Sequence, residues 1–272
     1  MKVKLPVIAL LTDFGEDDFF VASLKAVILS LNPRARIVDI SHRIPSFDID
    51  AAGFVLFAAY RYFPKGTIFL TVVDPGVGSK RRIILVITER YFFIAPDNGV
   101  LSLALGEEKV QQVREIANSR IFLPQPSKSF EGRDKMAPAA AWLSRGESID
   151  TFGPPVKNIK RREVPKAYMK GCDVCGRILY ADKFGNLITN IPAGLVECLA
   201  AEKGKESLSL FVGKKKFGGL REDYSTAKKG EVFFLAGSLG LIEISAREAS
   251  AGERIKLSQK QEVRIAASRR KR

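Results

Sequence analysis

The sequence has one histidine and three cysteines in 272 residues. A single histidine excludes every metal or catalytic site that needs two imidazoles, such as the helical zinc-protease motif. Three cysteines cannot form a fully paired disulfide framework, which favours a reducing, cytoplasmic location. The longest apolar stretch, from Gly53 to Tyr60, is far shorter than the roughly 20 residues of a membrane helix. No apolar block follows the early lysines, so a secretory leader is not expected.

Glycine-rich loops that bind nucleotide phosphates are also missing. No Gly-x-x-x-x-Gly-Lys-Ser/Thr segment occurs, and Gly76-Val77-Gly78 is not followed by a suitably spaced third glycine. Acidic loops without a phosphate cradle suit a ligand with free hydroxyls and positive charge. Because a carboxylate can accept hydrogen bonds from both hydroxyls of a ribose, the pattern favours a nucleoside over a nucleotide.

Positive charge is in excess, with 44 basic and 30 acidic residues and a net charge of +14. Residues 1–160 carry 21 basic and 17 acidic side chains, and residues 161–272 carry 23 and 13. Part of the excess lies in Lys260–Arg272, which we interpret as a solvated basic tail whose removal leaves activity nearly intact. RNA-binding aromatic signatures and paired zinc spacings are absent. We therefore expect no nucleic-acid partner as the main role.

The order of apolar segments predicts two domains. Alternating strands and helices in residues 1–160 predict an α/β domain with a mostly parallel sheet. Short apolar runs separated by Gly, Asn and Lys in residues 161–272 predict a smaller all-β domain that ends in the basic tail. The predicted strands are 7–11, 36–40, 66–73, 83–88, 91–94, 177–180, 187–191, 207–212, 232–235, 241–244, 254–257 and 262–266, and the predicted helices are 19–31, 47–62 and 137–144.

Three acids come directly after predicted strands of the first domain: Asp13, Asp74 and Asp97. Ligands of open α/β sheets bind outside the carboxyl ends of the strands, so these acids can converge on one crevice. The alternative is that each simply forms a turn, because Asp favours such positions. His42 lies in a strand-to-helix connection, where packing or capping is its expected role.

Weaker signals occur in the second domain. Cys172-x-x-Cys175 is a single pair beside glycines, which favours incidental thiols over a labile disulfide or a metal site. Asp182 and Asn186 precede a strand, and they either form a hairpin turn or present a carboxylate and an amide to a polar ligand. The loop around Ser238, followed by Glu243, allows the same two interpretations.

Six motifs occur together in a fixed order, and their combination is specific. The motifs are Leu11-Thr12-Asp13-Phe14-Gly15; Asp39-Ile40-Ser41-His42 with Ile44-Pro45; Val73-Asp74-Pro75-Gly76-Val77-Gly78; Ala95-Pro96-Asp97-Asn98-Gly99; Gly132-Arg133-Asp134 with Ala137-Pro138-Ala139-Ala140; and Asp182-x-Phe184-Gly185-Asn186. With them, the sequence resembles the S-adenosylmethionine hydroxide adenosyltransferases, relatives of the fluorinase and chlorinase, over roughly residues 5–260.

This resemblance implies a homotrimer that takes S-adenosylmethionine as substrate, with no cofactor and no metal. The substrate would lie between the N-terminal domain of one subunit and the C-terminal domain of its neighbour. By motif, Asp13 would bind the ribose diol, and Asp74 and Arg81 would flank the attacking water. Asp182 would hold the methionine amino group. Asn186 and the Ser238 loop would make contacts on the nucleoside side, and Glu243 is a further substrate-binding candidate.

Glu131 is a departure from the family pattern, which usually has His-Gly-Arg-Asp where this chain has Glu131-Gly132-Arg133-Asp134. As a third catalytic candidate, a carboxylate near Asp74 is expected to raise the pKa of one of the two, so that the pair shares a proton. The alternative is that Glu131 faces solvent or braces Arg133.

The resemblance predicts hydrolysis of S-adenosylmethionine to adenosine and methionine by attack of water or hydroxide at the ribose C5′. Two other functions stay open. One is transfer to a halide, although the segment between Asp74 and Asp97 lacks the long insertion associated with the fluorinase. The other is binding of adenosine or S-adenosylmethionine without catalysis, if Glu131 has abolished turnover.

Overall fold

The computed structural model describes residues 7–256 and 261–267. The chain divides into two compact units, with the boundary between Glu163 and Val164. The first unit is a mixed, mostly parallel α/β sheet and the second is antiparallel, which confirms the predicted fold class. Among the described residues, we find no helix with the length and apolar character that crossing a bilayer requires.

The first unit is built on a six-stranded sheet with the order β2-β1-β3-β5-β4-β6. The first four strands of this order are parallel. β4 pairs antiparallel with β5, and β6 pairs antiparallel with β4. Strands β3 and β4 are buried throughout, as expected for a sheet with apolar runs in its centre. The elements are β1 (Val7–Thr12), α1 (Phe19–Leu31), β2 (Arg36–Ser41), α2 (Ile49–Tyr60), β3 (Ile68–Val72), β4 (Ile83–Thr88), β5 (Phe92–Pro96), β6 (Val110–Glu115) and α3 (Ala137–Ser144).

Helix α2 begins two residues after the predicted start at Phe47. Phe47 has a φ of 67°, in the left-handed region, so it cannot belong to a right-handed helix. Asp48 is the N-cap, and its side chain accepts a hydrogen bond of 2.9 Å from the Ala51 N–H. Of the two acids near the start of the helix, Asp48 is therefore the N-cap and Asp50 lies in the first turn.

The second unit is an antiparallel sheet with the order β11-β10-β14-β8-β9-β13-β12, and β7 pairs with β8. Its buried core joins the inner faces of these strands to α4. The elements are β7 (Tyr168–Lys170), β8 (Asp173–Ala181), β9 (Leu187–Pro192), α4 (Ala193–Lys203), β10 (Leu208–Val212), β11 (Lys215–Phe217), β12 (Val232–Ala236), β13 (Leu241–Ala246), α5 (Ala251–Ile255) and β14 (Glu262–Ala267).

Two secondary-structure predictions for the second unit are wrong. The segment predicted as strand 254–257 begins inside helix α5, because Ser250 caps the preceding turn by accepting a hydrogen bond from the Glu253 N–H. Leu257 lies outside the described residues. Helix α4 was not predicted, although its buried residues Ala193, Val196, Leu199 and Ala200 recur at helical spacing.

The interpretation of Lys260–Arg272 as a solvated tail is also wrong in its central part. Residues 262–267 form β14, which pairs with both β10 and β8, and its Val263 and Ile265 are fully buried. Deletion of the whole segment would remove an inner strand, so activity is not expected to survive it. Lys260 and residues 268–272 lie outside the described residues.

Candidate active site

Asp13 and Asp74 lie at the same edge of the first sheet. Strands β1 and β3 are parallel neighbours with Thr12 paired to Val72, so the loops that follow them emerge side by side. Burial raises the pKa of the Asp13 carboxyl, a hydrogen bond from the Phe47 N–H lowers it, and the charge of Asp74 raises it. The net pKa is above its ordinary value. The structure thus brings these two predicted site residues together.

The loop that carries Asp13 is held by the loop after β2. The Phe47 N–H donates a 2.8 Å hydrogen bond to Asp13 Oδ2, and the Gly15 N–H donates one of 2.8 Å to the His42 carbonyl. The buried His42 ring is also 2.8 Å from Thr12 Oγ1 through Nδ1. His42 therefore has the packing role expected for it. Through its contacts with Thr12 and Gly15, it holds the chain on both sides of Asp13.

Asp74, Arg81 and Glu131 form one buried ionic cluster. Arg81 Nε donates a 2.7 Å hydrogen bond to Asp74 Oδ2, and a terminal nitrogen of the same guanidinium pairs with both Asp74 and Glu131. The exposed fractions of the three side chains are only 6%, 6% and 7%. Because water is largely excluded, the ionic attraction here is stronger than that of a surface pair. Arg81 is therefore in direct contact with both of the other predicted catalytic candidates.

Glu131 is also paired with a cation that the sequence reasoning missed. Lys135 Nζ lies 2.5 Å from Glu131 Oε1, four residues away along the chain. Glu131 is the N-cap of a π-helical turn, Gly132–Met136, which contains Lys135 and leads into α3. The pairing signal was present in the sequence, because an acid and a base four residues apart face each other on a helical segment.

The expected proton sharing between Glu131 and Asp74 is contradicted by this arrangement. Burial raises the pKa of the Glu131 carboxyl, but the hydrogen bonds and charges of Lys135 and Arg81 outweigh it, and the net pKa is below its ordinary value. The alternative, in which Glu131 faces solvent or braces Arg133, is also wrong. Glu131 is buried, and Arg133 pairs with Asp134 instead. Glu131 is an ionised carboxylate at neutral pH.

Asp97 does not share the chemistry of the other two strand-end acids. Its carboxylate accepts hydrogen bonds from Arg82 Nε at 3.0 Å and from the Lys160 N–H at 2.7 Å, and the residue is 2% exposed. It ties the segment around residue 160 to the sheet. Asp97 therefore has a structural role through partners distant in the sequence, which neither of the two interpretations described.

In the second unit, Asp182 and Asn186 are neighbours in one turn. Asn186 Nδ2 donates a 2.9 Å hydrogen bond to Asp182 Oδ2, and the backbone N–H groups of Phe184 and Asn186 each donate one of 2.9 Å to Oδ1. The hairpin-turn interpretation is thus correct. Asp182 is half-buried and Asn186 is buried, so only part of the carboxylate reaches the surface of the turn.

Glu243 lies in β13 and bonds to a tyrosine that no sequence pattern marked. The Tyr224 hydroxyl donates to Glu243 Oε1, and Ser245 Oγ donates to the same oxygen at 2.8 Å. Burial, the bond to Glu243 and the charge of Asp182 raise the pKa of Tyr224 to about 12. Ser238 is exposed in the turn between β12 and β13. Tyr224 comes from an irregular segment, where periodicity gives no signal.

The cysteines are free thiols, with Cys172 exposed and Cys175 buried in β8. Within residues 7–256 and 261–267, we find no group of three or more His, Cys, Asp or Glu side chains placed to hold a metal ion.

Comparisons with known proteins place these sites in a family context. The profile of the SAM hydroxide adenosyltransferase N-terminal domain matches residues 8–153, and that of the C-terminal domain matches residues 176–264. A protein from Thermus thermophilus named (R)-S-adenosyl-L-methionine hydrolase is 33% identical over 271 residues, covering 94% of this chain and 97% of the relative. A fluorinase from an Actinoplanes species is 28% identical over 213 residues, covering 68% of this chain and 72% of the relative.

A solved structure has the same fold. The crystal structure of an uncharacterized conserved protein from Thermotoga maritima superposes with a TM-score of 0.90 at 34% identity. The match covers 95% of this chain and 99% of that one.

Proposed function

The chain belongs to the SAM hydroxide adenosyltransferase family, and on that premise we propose that it hydrolyses S-adenosyl-L-methionine (SAM) to adenosine and L-methionine. The observation that carries the proposal is the buried Asp74–Arg81–Glu131 cluster beside Asp13. The names of the relatives support the same substrate.

The reaction is an in-line displacement at the ribose C5′. A bond forms between the water oxygen and C5′, the bond from C5′ to sulfur breaks, and its electron pair returns to sulfur as methionine leaves. The sulfonium is a good leaving group, so no acid is needed to assist its departure. The difficulty lies in the nucleophile, because bulk water has a pKa near 15.7 and must lose a proton as it attacks.

Asp74 is the group that orients this water and receives its proton. Its Oδ1 accepts only a 3.1 Å hydrogen bond from the Gly76 N–H among the bonds described, whereas both oxygens of Glu131 pair with cations. Arg81 supplies the positive charge that stabilises developing hydroxide, so the proposed reaction is metal-independent. Glu131 pairs with the same terminal nitrogen of the guanidinium as Asp74 does.

The cluster also favours water over a halide. The Arg81 guanidinium is already shared by two carboxylates, and a halide approaching it would meet the negative charge of both. Incubation of the pure protein with SAM, with and without chloride or fluoride, tests this. Adenosine and methionine alone are expected. A 5′-halogenated nucleoside would support the halide function, and tight binding without product would support a binding-only protein.

The remaining site residues bind substrate in this proposal. Asp13 accepts hydrogen bonds from the ribose diol, and Asp182 holds the methionine amino group. The half-buried Asp182 carboxylate is held beside the Asn186 amide by their hydrogen bond, which suits a polar ligand. The nucleoside-side contacts are assigned to Asn186, Ser238 and Glu243.

Asp13→Ala is expected to weaken adenosine binding at least tenfold. The substitution removes a charged acceptor for the diol, and a charge-assisted hydrogen bond contributes about 1.5–3 kcal/mol. Isothermal titration calorimetry with adenosine measures the effect. Asp17→Ala, an exposed acid of the same loop, is the matched control and should bind as the wild type does. Unchanged affinity of the folded Asp13 variant would overturn the assignment.

We also propose a homotrimer in which neighbouring subunits complete each site. The support is that Asp13 and Asp74 belong to one compact unit and Asp182 and Asn186 to the other, and that the resembling family pairs such residues across subunits. Light scattering coupled to size exclusion is expected to give the mass of three chains. A fully active monomer would contradict the proposal.

A further inference from the structure

Lys135 stands out because it is the outer end of a chain of alternating charges. In the order Lys135, Glu131, Arg81, Asp74, each side chain pairs with the next, and we call these four residues the charge chain. Lys135 Nζ lies 2.5 Å from Glu131 Oε1, while Arg81 pairs with Oε2 of the same carboxylate. Each oxygen of Glu131 therefore has its own cation.

The lysine is fixed in this position by its surroundings. Its ammonium lies 5.6 Å from the centre of the Phe122 ring, and only 24% of the side chain is exposed. An aromatic face attracts a cation, so Phe122 and Glu131 hold the ammonium together. The charge chain contains two cations and two anions, so positive and negative side chains are equal in number where water is largely excluded.

Without Lys135, two buried carboxylates would compete for one guanidinium. Like charges at such a site favour protonation of one carboxyl group, and Glu131 would then hold a proton and loosen from Arg81. The charged groups acting on Glu131 are Lys135 from its own segment, Arg81 from the loop after β3, and Asp74 through that guanidinium. Arg81 pairs with both Glu131 and Asp74, whereas the pair described for Lys135 is with Glu131.

We infer that Lys135 is a positioning residue, which holds Glu131 as a fixed carboxylate against Arg81 and so leaves Asp74 as the proton acceptor. This inference rests on the proposed function. Lys135 acts through Glu131 and not on SAM. Its loss should therefore affect the chemical step and its pH dependence, with little effect on substrate binding.

A double-mutant cycle tests the inference, using the wild type, Lys135→Met, Glu131→Gln and the double variant. We expect Lys135→Met to lower kcat about tenfold at neutral pH, a usual size for coupling between contacting residues. The acid limb of the kcat profile should move to higher pH, and KM should change little. In the Glu131→Gln background, the same substitution should change kcat less than twofold. Lys135→Arg should restore most of the activity.

Lys109→Met is the matched control. Lys109 forms an ion pair of 2.6 Å with Glu89, but both side chains are well exposed, so its loss should leave kcat unchanged. An equal loss of kcat for Lys135→Met in both Glu131 backgrounds, or a loss confined to KM, would overturn the inference, because Lys135 would then act directly on substrate.

Unfolding measurements separate this inference from the proposed function. The folded-state pKa of Glu131 is lowered, so its contribution to stability is present above its ordinary pKa and is lost as the pH falls through the folded-state value. Lys135→Met should flatten the dependence of unfolding free energy on pH at acidic pH, but not in the Glu131→Gln background. If the wild type does not hydrolyse SAM, the proposed function fails, and this unfolding cycle decides the lysine–glutamate coupling alone: an additive cycle overturns it.

Discussion

Asp74→Asn is expected to lower the kcat of SAM hydrolysis by about 10²-fold or more, the usual contribution of a general base. The amide cannot receive the proton that water loses. It also leaves the Arg81 Nε without its charged acceptor, now at 2.7 Å, in a site where the side chains are nearly buried. Binding of adenosine should change little, because the substitution leaves Asp13 and its loop intact.

Single-turnover conversion of SAM measures this loss separately from product release. The control is Asp150→Asn, which also removes a carboxylate paired with an arginine, Arg114, but one whose side chain is 76% exposed. This control should retain full activity. A rate for Asp74→Asn within threefold of the wild type, in a protein with normal unfolding, would show that the proton goes elsewhere.

Glu131→Gln is expected to lower the rate by a similar factor, about 10²-fold, for a different physical reason. The amide keeps the shape of the side chain but removes the negative charge between Lys135 and Arg81. The Arg81 guanidinium would then lose one of its two carboxylate partners and move from the position it holds against Asp74. Adenosine affinity should be nearly unchanged.

Glu131→His should retain much of the activity. Histidine is the usual residue of the resembling motif at this position, so the rest of the site, including Asp74 and Arg81, is expected to function with it. Rates of both variants across a pH series provide the measurement. If Glu131→Gln matches the wild type at every pH, Glu131 is a bystander, and water activation rests on Asp74 and Arg81.

The sequence predicted the convergence of Asp13 and Asp74, because parallel neighbouring strands end at one edge of a sheet. The same rule misplaced Asp97 among the functional candidates. Its partners, Arg82 and Lys160, are 15 and 63 residues away along the chain, and no local pattern shows that they occupy its carboxylate. The end of a strand predicts where an acidic residue lies. Whether its carboxylate is available to a ligand depends on partners that only the fold brings near.

The ionisation of Glu131 could not be predicted from Asp74 alone. A second carboxylate at the site suggested a raised pKa for one of the two groups. The sequence pattern did not show that two cations, Arg81 and Lys135, pair with Glu131. Lys135 could have been predicted from its four-residue spacing, but the contact with Arg81 spans 50 residues. Similarly, the start of α2 depends on the left-handed backbone of Phe47. Neither turn propensities nor helix propensities of the sequence indicate that conformation.

The position of β14 constrains how a nascent chain can acquire its second unit. β14 lies between β10 and β8, so each of these two strands lacks one partner until residue 267 has been synthesised. Before that point, the edges of β10 and β8 that β14 covers in the folded protein are open. Such edges can pair with other chains, so the interval before β14 inserts is when the growing polypeptide is most exposed to misassembly and most dependent on chaperones.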